Sequence, residues 1–135
     1  LIMSAKENLK EILENLNPYL VKESFIFMTS KEPIKELVNS LNPLATFIEN
    51  EGSTLVITKE IADKNSIHYE TIFKCISLSV HSSLESSGLI ATLSGELSKE
   101  DIPANVFAGY FHDHIFVPND MAKKALEIIS SIGDS

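Results

Sequence analysis

Apolar residues follow helical and strand-like spacings in turn along the chain. Recurrence at intervals of three and four residues predicts amphipathic helices over residues 4–17, 32–42, 82–98 and 119–132. Short runs rich in β-branched and aromatic residues predict strands at residues 25–29, 45–48, 53–57, 71–81, 107–108 and 115–117. A turn containing Gly52 indicates a hairpin, and residues 59–64 indicate a short helix. This mixture favours an α+β fold.

The order of the predicted elements repeats once. Residues 25–64 and residues 71–132 each run strand, helix, strand, strand, helix, which is the ferredoxin-like βαββαβ motif without its last strand. We therefore predict two tandem ferredoxin-like modules that share a layered core. They are residues 5–66, which include the N-terminal helix, and residues 67–135. We expect residues 19–22 to supply the missing strand of the second copy by pairing alongside it.

Six apolar residues of the second half are candidates for the central strands, because they stand in short strand-like runs flanked by amphipathic helices. They are Ile76, Leu78, Val80, Val106, Ile115 and Val117. Between residues 71 and 81, apolar residues alternate with Ser77, Ser79 and His81, so this strand has one polar side. Cys75 lies in the same strand and is expected to be buried. As the single cysteine it excludes an internal disulfide and a multi-cysteine zinc site.

The net charge of the chain disfavours some classes of binding partner. Nineteen acidic and eleven basic residues give a net charge of −8 and a pI near 4.9. Contact with several phosphates requires a cluster of Lys and Arg, and the sequence has none, so we expect neither nucleic acid nor an anionic membrane as partner. No apolar run approaches the roughly 20 residues of a membrane span. No signal peptide is expected, and a cytoplasmic location fits these features.

The first candidate site is the turn that leads into the predicted helix of residues 82–98. Ser82 and Glu85 have the spacing of a capping box. Ser83 and the free amides of the first helical turn would still suit a carboxylate, because a helix start carries a partial positive charge. Gly88 would let backbone or ligand approach closely. A simpler interpretation is that these serines only cap the helix, and both interpretations stay open.

The second candidate site is the segment His112-Asp113-His114. At strand spacing the two histidines point to one face and Asp113 to the other. With His81 from a neighbouring strand, they could ligate zinc or another divalent metal, but two histidines alone are not a complete site. Alternatively, they line an effector pocket or pair with Asp113, or they are simply polar residues of the structure. We favour an effector role over metal, and we predict no metal and no cofactor.

Two segments resemble a known protein family. They are His81-Ser82-Ser83-Leu84-Glu85-Ser86-Ser87-Gly88 and Ala108-Gly109-Tyr110-Phe111-His112-Asp113-His114-Ile115-Phe116-Val117-Pro118. Residues 42–46 and 51–56 extend the match. From about residue 9 to residue 132, the sequence is similar to bacterial ACT-domain proteins made of two tandem ACT-like modules. These proteins are relatives of the regulatory domains of aspartate kinase.

The resemblance implies an α+β fold, a homodimer formed through the modules, and ligand capture at interfaces between them. ACT domains generally bind amino acids or similar effectors and perform no chemistry themselves. The ligand-binding residues that the two segments imply are His81, Ser82, Ser83, Leu84, Glu85, Gly88, Tyr110, His112, Asp113 and His114. Ser86, Ser87 and Ser53 replace apolar residues that the family favours, and this could change the ligand or abolish binding.

The leading hypothesis is a non-catalytic regulatory protein that senses an amino acid. The alternative from a different class is a structural or partner-binding module without a small ligand, and a third is a metal-binding protein centred on His81, His112 and His114. An enzyme is not expected, because the sequence has no G-x-S-x-G nucleophile elbow. Glu49 and Glu51 flank a turn, but proximity alone does not make a general acid–base pair.

Overall fold

The computed structural model describes residues 5–79 and 88–132 of the 135-residue chain. The elements follow one another as α1 (Ala5–Glu14), β1 (Pro18–Ser30), α2 (Ile34–Leu41), β2 (Ala45–Glu49), β3 (Gly52–Thr58), α3 (Lys59–Lys64), β4 (Phe73–Leu78), α4 (Leu89–Ser98), β5 (Asn105–Ala108), β6 (Asp113–Pro118) and α5 (Ala122–Ile132). A 3₁₀ turn, Asn119–Met121, precedes α5. The predicted α+β class is confirmed.

The chain divides into two compact units. The middle unit is Lys22–Phe73, and the terminal unit combines Leu1–Val21 with Lys74–Ser135. Strand β1 begins in the terminal unit and continues in the middle unit. The module boundary between residues 66 and 67 comes from the sequence repeat and stays a prediction.

In the middle unit, three strands are hydrogen-bonded in the order β2-β3-β1. Strand β3 is antiparallel to both neighbours, pairing Ser53 with Ser30 of β1 and Gly52 with Glu49 of β2, which confirms the predicted hairpin. Helices α2 and α3 contribute to a core on one face of these strands. Its buried residues are Ile26, Leu37, Leu41, Leu55, Ile57 and Ala62.

In the terminal unit, the strand order is β1-β4-β6-β5, and β1 contributes its first residues, Pro18–Val21. This order places β1 beside β4, and the prediction that residues 19–22 supply the strand that the second repeat lacks stays a prediction. The contact continues before β1, where the Ser79 N–H donates to the Leu16 carbonyl at 3.2 Å. Strands β1 and β4 are therefore neighbours in the sheet although they are distant in sequence.

The terminal unit has its own core beneath α1, α4 and α5. Ile76 and Leu78 of β4 and Ile115 and Val117 of β6 are buried in it, as predicted. The prediction was wrong for Val106, which is half-buried on β5, the last strand in the order. A strand at the end of a sheet has a neighbour on one side alone and therefore less cover. Val80 lies outside the described residues.

The helix predicted over residues 82–98 begins later than expected. Helix α4 starts at Leu89, and Gly88 before it has a φ of 97° in the left-handed region. A right-handed helix cannot continue through such a residue, so a single helix running through Gly88 was a wrong prediction. Across residues 5–79 and 88–132, the structure contains no helix with the length and apolarity that a membrane crossing needs.

Candidate functional site

The histidine segment faces a polar side of strand β4. His114 belongs to β6, and its Nδ1 lies 2.7 Å from the Oγ of Ser77. The Sγ of Cys75 lies 3.6 Å from the same oxygen. Because Ile76 and Ile115 point into the helix-covered core, alternation places Cys75, Ser77 and His114 on the opposite face of these neighbouring strands.

Burial controls the chemistry of this polar cluster. Ser77 and Cys75 are each 1% exposed, and burial raises the pKa of the Cys75 thiol, which stays protonated near neutral pH. The prediction of a buried cysteine on a strand is confirmed. Burial also lowers the pKa of His114, nearby His112 lowers it further, and Asp113 acts in the opposite direction. His114 is therefore a neutral imidazole near neutral pH.

Gly109 lets the backbone of the hairpin between β5 and β6 come close to the His114 ring. Its N–H donates to the His112 carbonyl at 2.9 Å. A Cβ at this position would lie 2.7 Å from that oxygen and 3.6 Å from the Nε2 of His114. A side chain does not fit without movement of the turn, so glycine fixes the backbone against the ring.

His112 stands in the turn just before β6 and carries an unsatisfied polar atom. Its Nδ1 is buried and has no hydrogen-bond partner within the part of the chain that the structure describes. Leaving a buried polar atom unpaired costs about 1–3 kcal/mol, so a partner for this nitrogen would stabilise the hairpin. Asp113, the first residue of β6, is 9% exposed.

Tyr110 lies at the tip of the hairpin and not against the histidines. Its side chain is 71% exposed, and its ring packs edge-to-face on Phe111, which is 68% exposed, with 5.2 Å between the centroids. An exposed aromatic pair suits contact with a larger partner better than enclosure of a small ligand. The ligand-binding role of Tyr110 stays a prediction.

Gly88 is close to a side chain of helix α1. A Cβ on Gly88 would lie 3.1 Å from the Cδ2 of Leu9, and its φ of 97° is unfavourable for any residue with a side chain. Gly88 thus has a structural role in the start of α4, where its carbonyl accepts from the N–H and Oγ1 of Thr92. The other predicted residues of this turn, which are His81, Ser82, Ser83, Leu84 and Glu85, lie outside the described residues.

Sequence reasoning missed two residues that shape the site. Ser77 was assigned to the polar side of a strand, but its pairing with His114, 37 residues away, depends on which strands become neighbours. Gly109 stood inside the recognised segment without a role, and a glycine between two predicted strands was the available signal. No group of three or more His, Cys, Asp or Glu suited to a metal occurs among the residues that the structure describes.

The middle unit shows how the equivalent turns of the first repeat are arranged. There the turn between β1 and α2, which includes Ser30 and Glu32, and the turn between β2 and β3, residues 49–52, line a common cavity of about 370 Å³. Gly52 allows the close approach, because a Cβ there would lie 3.1 Å from the Ser30 carbonyl oxygen. In the second repeat, the equivalent places in the order of elements fall between β4 and α4 and between β5 and β6, at residues 109–112.

Comparisons with known proteins place this arrangement in a family. A family model described as ACT domain matches residues 4–74, and a second model of the same description matches residues 70–131. A solved protein of Vibrio cholerae, described as of unknown function and a possible transport protein, is 38% identical and has a TM-score of 0.82. The aligned region covers 93% of this chain and 96% of that one. No curated protein matches the chain.

More distant structures share the fold alone. The regulatory subunit of aspartate kinase from Thermus flavus is 8% identical, with a TM-score of 0.62 over 85% of this chain and 95% of that one. A protein of Agrobacterium tumefaciens is 12% identical, with a TM-score of 0.68 over 86% and 87% of the two chains. The predicted resemblance and the two ferredoxin-like modules are confirmed, and ACT domains are usually regulatory and ligand-binding. The chain belongs to the ACT-domain family and carries two ACT domains in tandem.

Proposed function

We propose that this chain is a non-catalytic regulatory protein whose second ACT domain binds a small effector, an amino acid. The proposed site combines residues 81–88, which precede α4 in the sequence, with the hairpin turn of residues 109–112. The proposed ligand-binding residues are those implied by the sequence, namely His81, Ser82, Ser83, Leu84, Glu85, Gly88, Tyr110, His112, Asp113 and His114. The carboxylate of the effector would bind to backbone amides around Ser82 to Glu85, and a histidine would hydrogen-bond the other end of the effector.

One observation carries this proposal. In the middle unit, the strand-to-helix turn and the hairpin turn line a common cavity of about 370 Å³. The second repeat has the same order of elements, with residues 79–88 and residues 109–112 at the equivalent places. A pocket of this size accommodates a molecule as small as an amino acid. The repeat therefore supports a ligand site that includes the histidine hairpin.

The polar groups of the hairpin supply the recognition chemistry. The half-buried His112 ring, when neutral, carries one nitrogen that can accept a hydrogen bond from an ammonium or hydroxyl group and one that can donate to a carboxylate. His114 is held by Ser77, which leaves its Nε2 facing the turn at Gly109.

The environment of Ser77 supports a role without catalysis. A serine bonded to a histidine resembles two members of a hydrolase triad. Here the serine is 1% exposed and lies within a strand, so a substrate carbonyl cannot reach its Oγ. The Ser77–His114 contact is better explained as a buried hydrogen bond that orients the imidazole.

A thermal-shift screen against the twenty amino acids, followed by calorimetric titration, tests the proposal. A ligand that binds the folded state raises the midpoint of unfolding, because binding adds to the free energy of unfolding by mass action. We expect the replacement His112→Phe to weaken the binding of the amino acid found in the screen about tenfold. Asn39→Phe is the control, because Asn39 is exposed, lies in the middle unit and lines neither of the cavities described for that unit.

Two outcomes would contradict the proposal. If none of the twenty amino acids shifts the midpoint or produces heat, the chain does not sense an amino acid. If His112→Phe binds as tightly as the wild type, the hairpin is not the site. Gly88→Val is unsuitable as a test, since the contact with Leu9 and the positive φ would disturb the fold itself.

A partner-binding role is the second candidate, and exposed apolar side chains favour it. Phe47 and Ile48 of β2, the last strand on its side of the order, are 66% and 68% exposed. We propose that a cytoplasmic homodimer covers such an edge. Light scattering should give about twice the monomer mass of 14.9 kDa, and a mass equal to the monomer with and without effector would refute the dimer.

A further inference from the structure

The middle unit contains a larger cavity that shares no residue with the two turns described above. Its volume is about 560 Å³, and it is formed by residues 27–29 of β1 together with residues 67–71 and Phe73. Binding pockets for small molecules commonly range from about 300 to 1,000 Å³. The cavity is therefore large enough for a molecule with one or two rings.

The cavity lies beside residues 27–29 of β1 and has aromatic residues in its wall. Phe27 and Met28 follow each other in the strand, so they point to opposite faces, yet both line the cavity. On one face Met28 and Tyr69 pack against the core beneath α2 and α3. On the other face the rings of Phe27 and Phe73 meet edge-to-face, with their centroids 5.0 Å apart.

A network of charged groups fixes the Tyr69 side of the cavity. The Tyr69 hydroxyl donates to the Oδ1 of Asp63 at 2.7 Å, and the Oδ2 of Asp63 accepts from Lys59 at 2.8 Å. The Lys59 Nζ lies 6.0 Å from the centroid of the Tyr69 ring. These contacts limit the rotation of Tyr69, and a wall that is already ordered loses less entropy when a ligand binds.

The charges around the opening disfavour an anionic ligand. None of the residues that line the cavity is Lys or Arg, whereas Glu70 brings a carboxylate to the opening. The Glu70 and His68 side chains are 89% and 85% exposed, and Oε1 of Glu70 lies 4.0 Å from Nε2 of His68. A ligand with an ammonium group would gain from Glu70, while a carboxylate or phosphate would be repelled.

We infer that this cavity binds an arylalkylamine, a planar aromatic ring that carries a protonated amine. The ring packs on Phe27 and Phe73, where aromatic pairs gain from edge-to-face and offset contacts. The ammonium group lies at the opening beside Glu70. This site is independent of the proposed effector site, which lies on the second ACT domain.

Tryptamine and indole-3-acetate test this inference because they share an indole ring and carry opposite charges. The chain contains no tryptophan, so indole fluorescence reports on the probe alone. On titration with the protein, tryptamine emission should shift to shorter wavelength and its anisotropy should rise to saturation. Indole-3-acetate should bind at least fivefold more weakly under the same conditions.

Two variants and a control assign the binding to the cavity. Thr71→Phe places a ring in the cavity from an exposed position and should weaken tryptamine binding at least tenfold. Glu70→Gln should weaken it about two- to fivefold, because an exposed charge pair contributes little. Glu60→Gln removes a carboxylate that is 77% exposed and does not line this cavity, and it should leave binding unchanged.

Three results would overturn the inference. The first is the absence of a saturable tryptamine response, and the second is equal binding of both probes to the wild type. The third is unchanged tryptamine affinity in Thr71→Phe when circular dichroism shows the same secondary structure as the wild type. Because neither probe is one of the twenty amino acids, these results leave the effector proposal to be judged by its own screen.

Discussion

Replacement of Ser77 by alanine tests whether the Ser77–His114 hydrogen bond stabilises the second ACT domain. The change removes the hydroxyl group 2.7 Å from the Nδ1 of His114 and leaves the strand backbone in place. Position 77 is 1% exposed, so water cannot easily replace the lost partner. His114 would then keep a half-buried ring nitrogen without its present partner.

The expected loss in the free energy of unfolding is about 1–3 kcal/mol, the cost of an unsatisfied buried polar group. The contact of the same hydroxyl with the Cys75 sulfur, at 3.6 Å, adds little. Ser79→Ala is the matched control, since Ser79 is an exposed serine just beyond β4 whose hydroxyl bonds the Asn17 carbonyl at 3.1 Å. It should cost less than about 0.5 kcal/mol.

Urea unfolding at pH 7.5 measures these differences, and a double-mutant cycle assigns them. In a His114→Phe background no imidazole is left to lose its partner, so Ser77→Ala should cost less than about 0.5 kcal/mol there. The same loss in both backgrounds would show that the serine acts through packing and not through the hydrogen bond. A loss in Ser79→Ala equal to that in Ser77→Ala would refute the role of burial.

Three further predictions concern stability. Because burial lowers the pKa of His114, the unfolded chain takes up the proton first as pH falls. The free energy of unfolding should therefore be highest above about pH 6.5 and decrease below it. Urea unfolding at a series of pH values should show that the free energy of unfolding changes less with pH in His114→Phe than in the wild type. Gly109→Ala brings a Cβ to 2.7 Å from the His112 carbonyl oxygen and should lower the urea midpoint by an amount equivalent to about 1–3 kcal/mol; an unchanged midpoint would mean that the turn rearranges freely. Leu93→Ala, at a fully buried position, should lower the free energy of unfolding by about 2–5 kcal/mol. Leu44→Ala, at a position that is 57% exposed, should lower it by less than about 0.5 kcal/mol. Similar thermal midpoints for both variants would contradict the assigned core.

Local patterns were sufficient to predict most elements of the fold. Helix α2 begins and ends within a residue or two of its predicted limits because Pro33 precedes it and Asn42, with a φ of 43°, ends it before Pro43. Helix α3 starts where Thr58 accepts a hydrogen bond from the Ile61 N–H. These signals act between residues close in sequence, so the sequence contains all the information they need.

Predictions failed where the neighbours of an element decide its state. Val106 has a strand-like sequence, but its place on β5 at the end of the strand order leaves it half-buried. Gly88 looked compatible with a helix, yet its φ is 97°, and a Cβ there would lie 3.1 Å from the Leu9 side chain of helix α1. Neither feature follows from spacing, because each depends on segments that are distant in sequence.

The sequence by itself determined the repeated order of strands and helices, the burial of Cys75 and the family resemblance, since amphipathic spacing and motif residues are local properties. Tertiary structure decided that β1 lies beside β4 in the sheet and that Ser77 bonds His114 across 37 residues. It also left the Nδ1 of His112 without a partner in the described chain. Strand pairing joins residues that no short-range pattern connects, and the polar contacts of the candidate site exist only once those strands lie side by side.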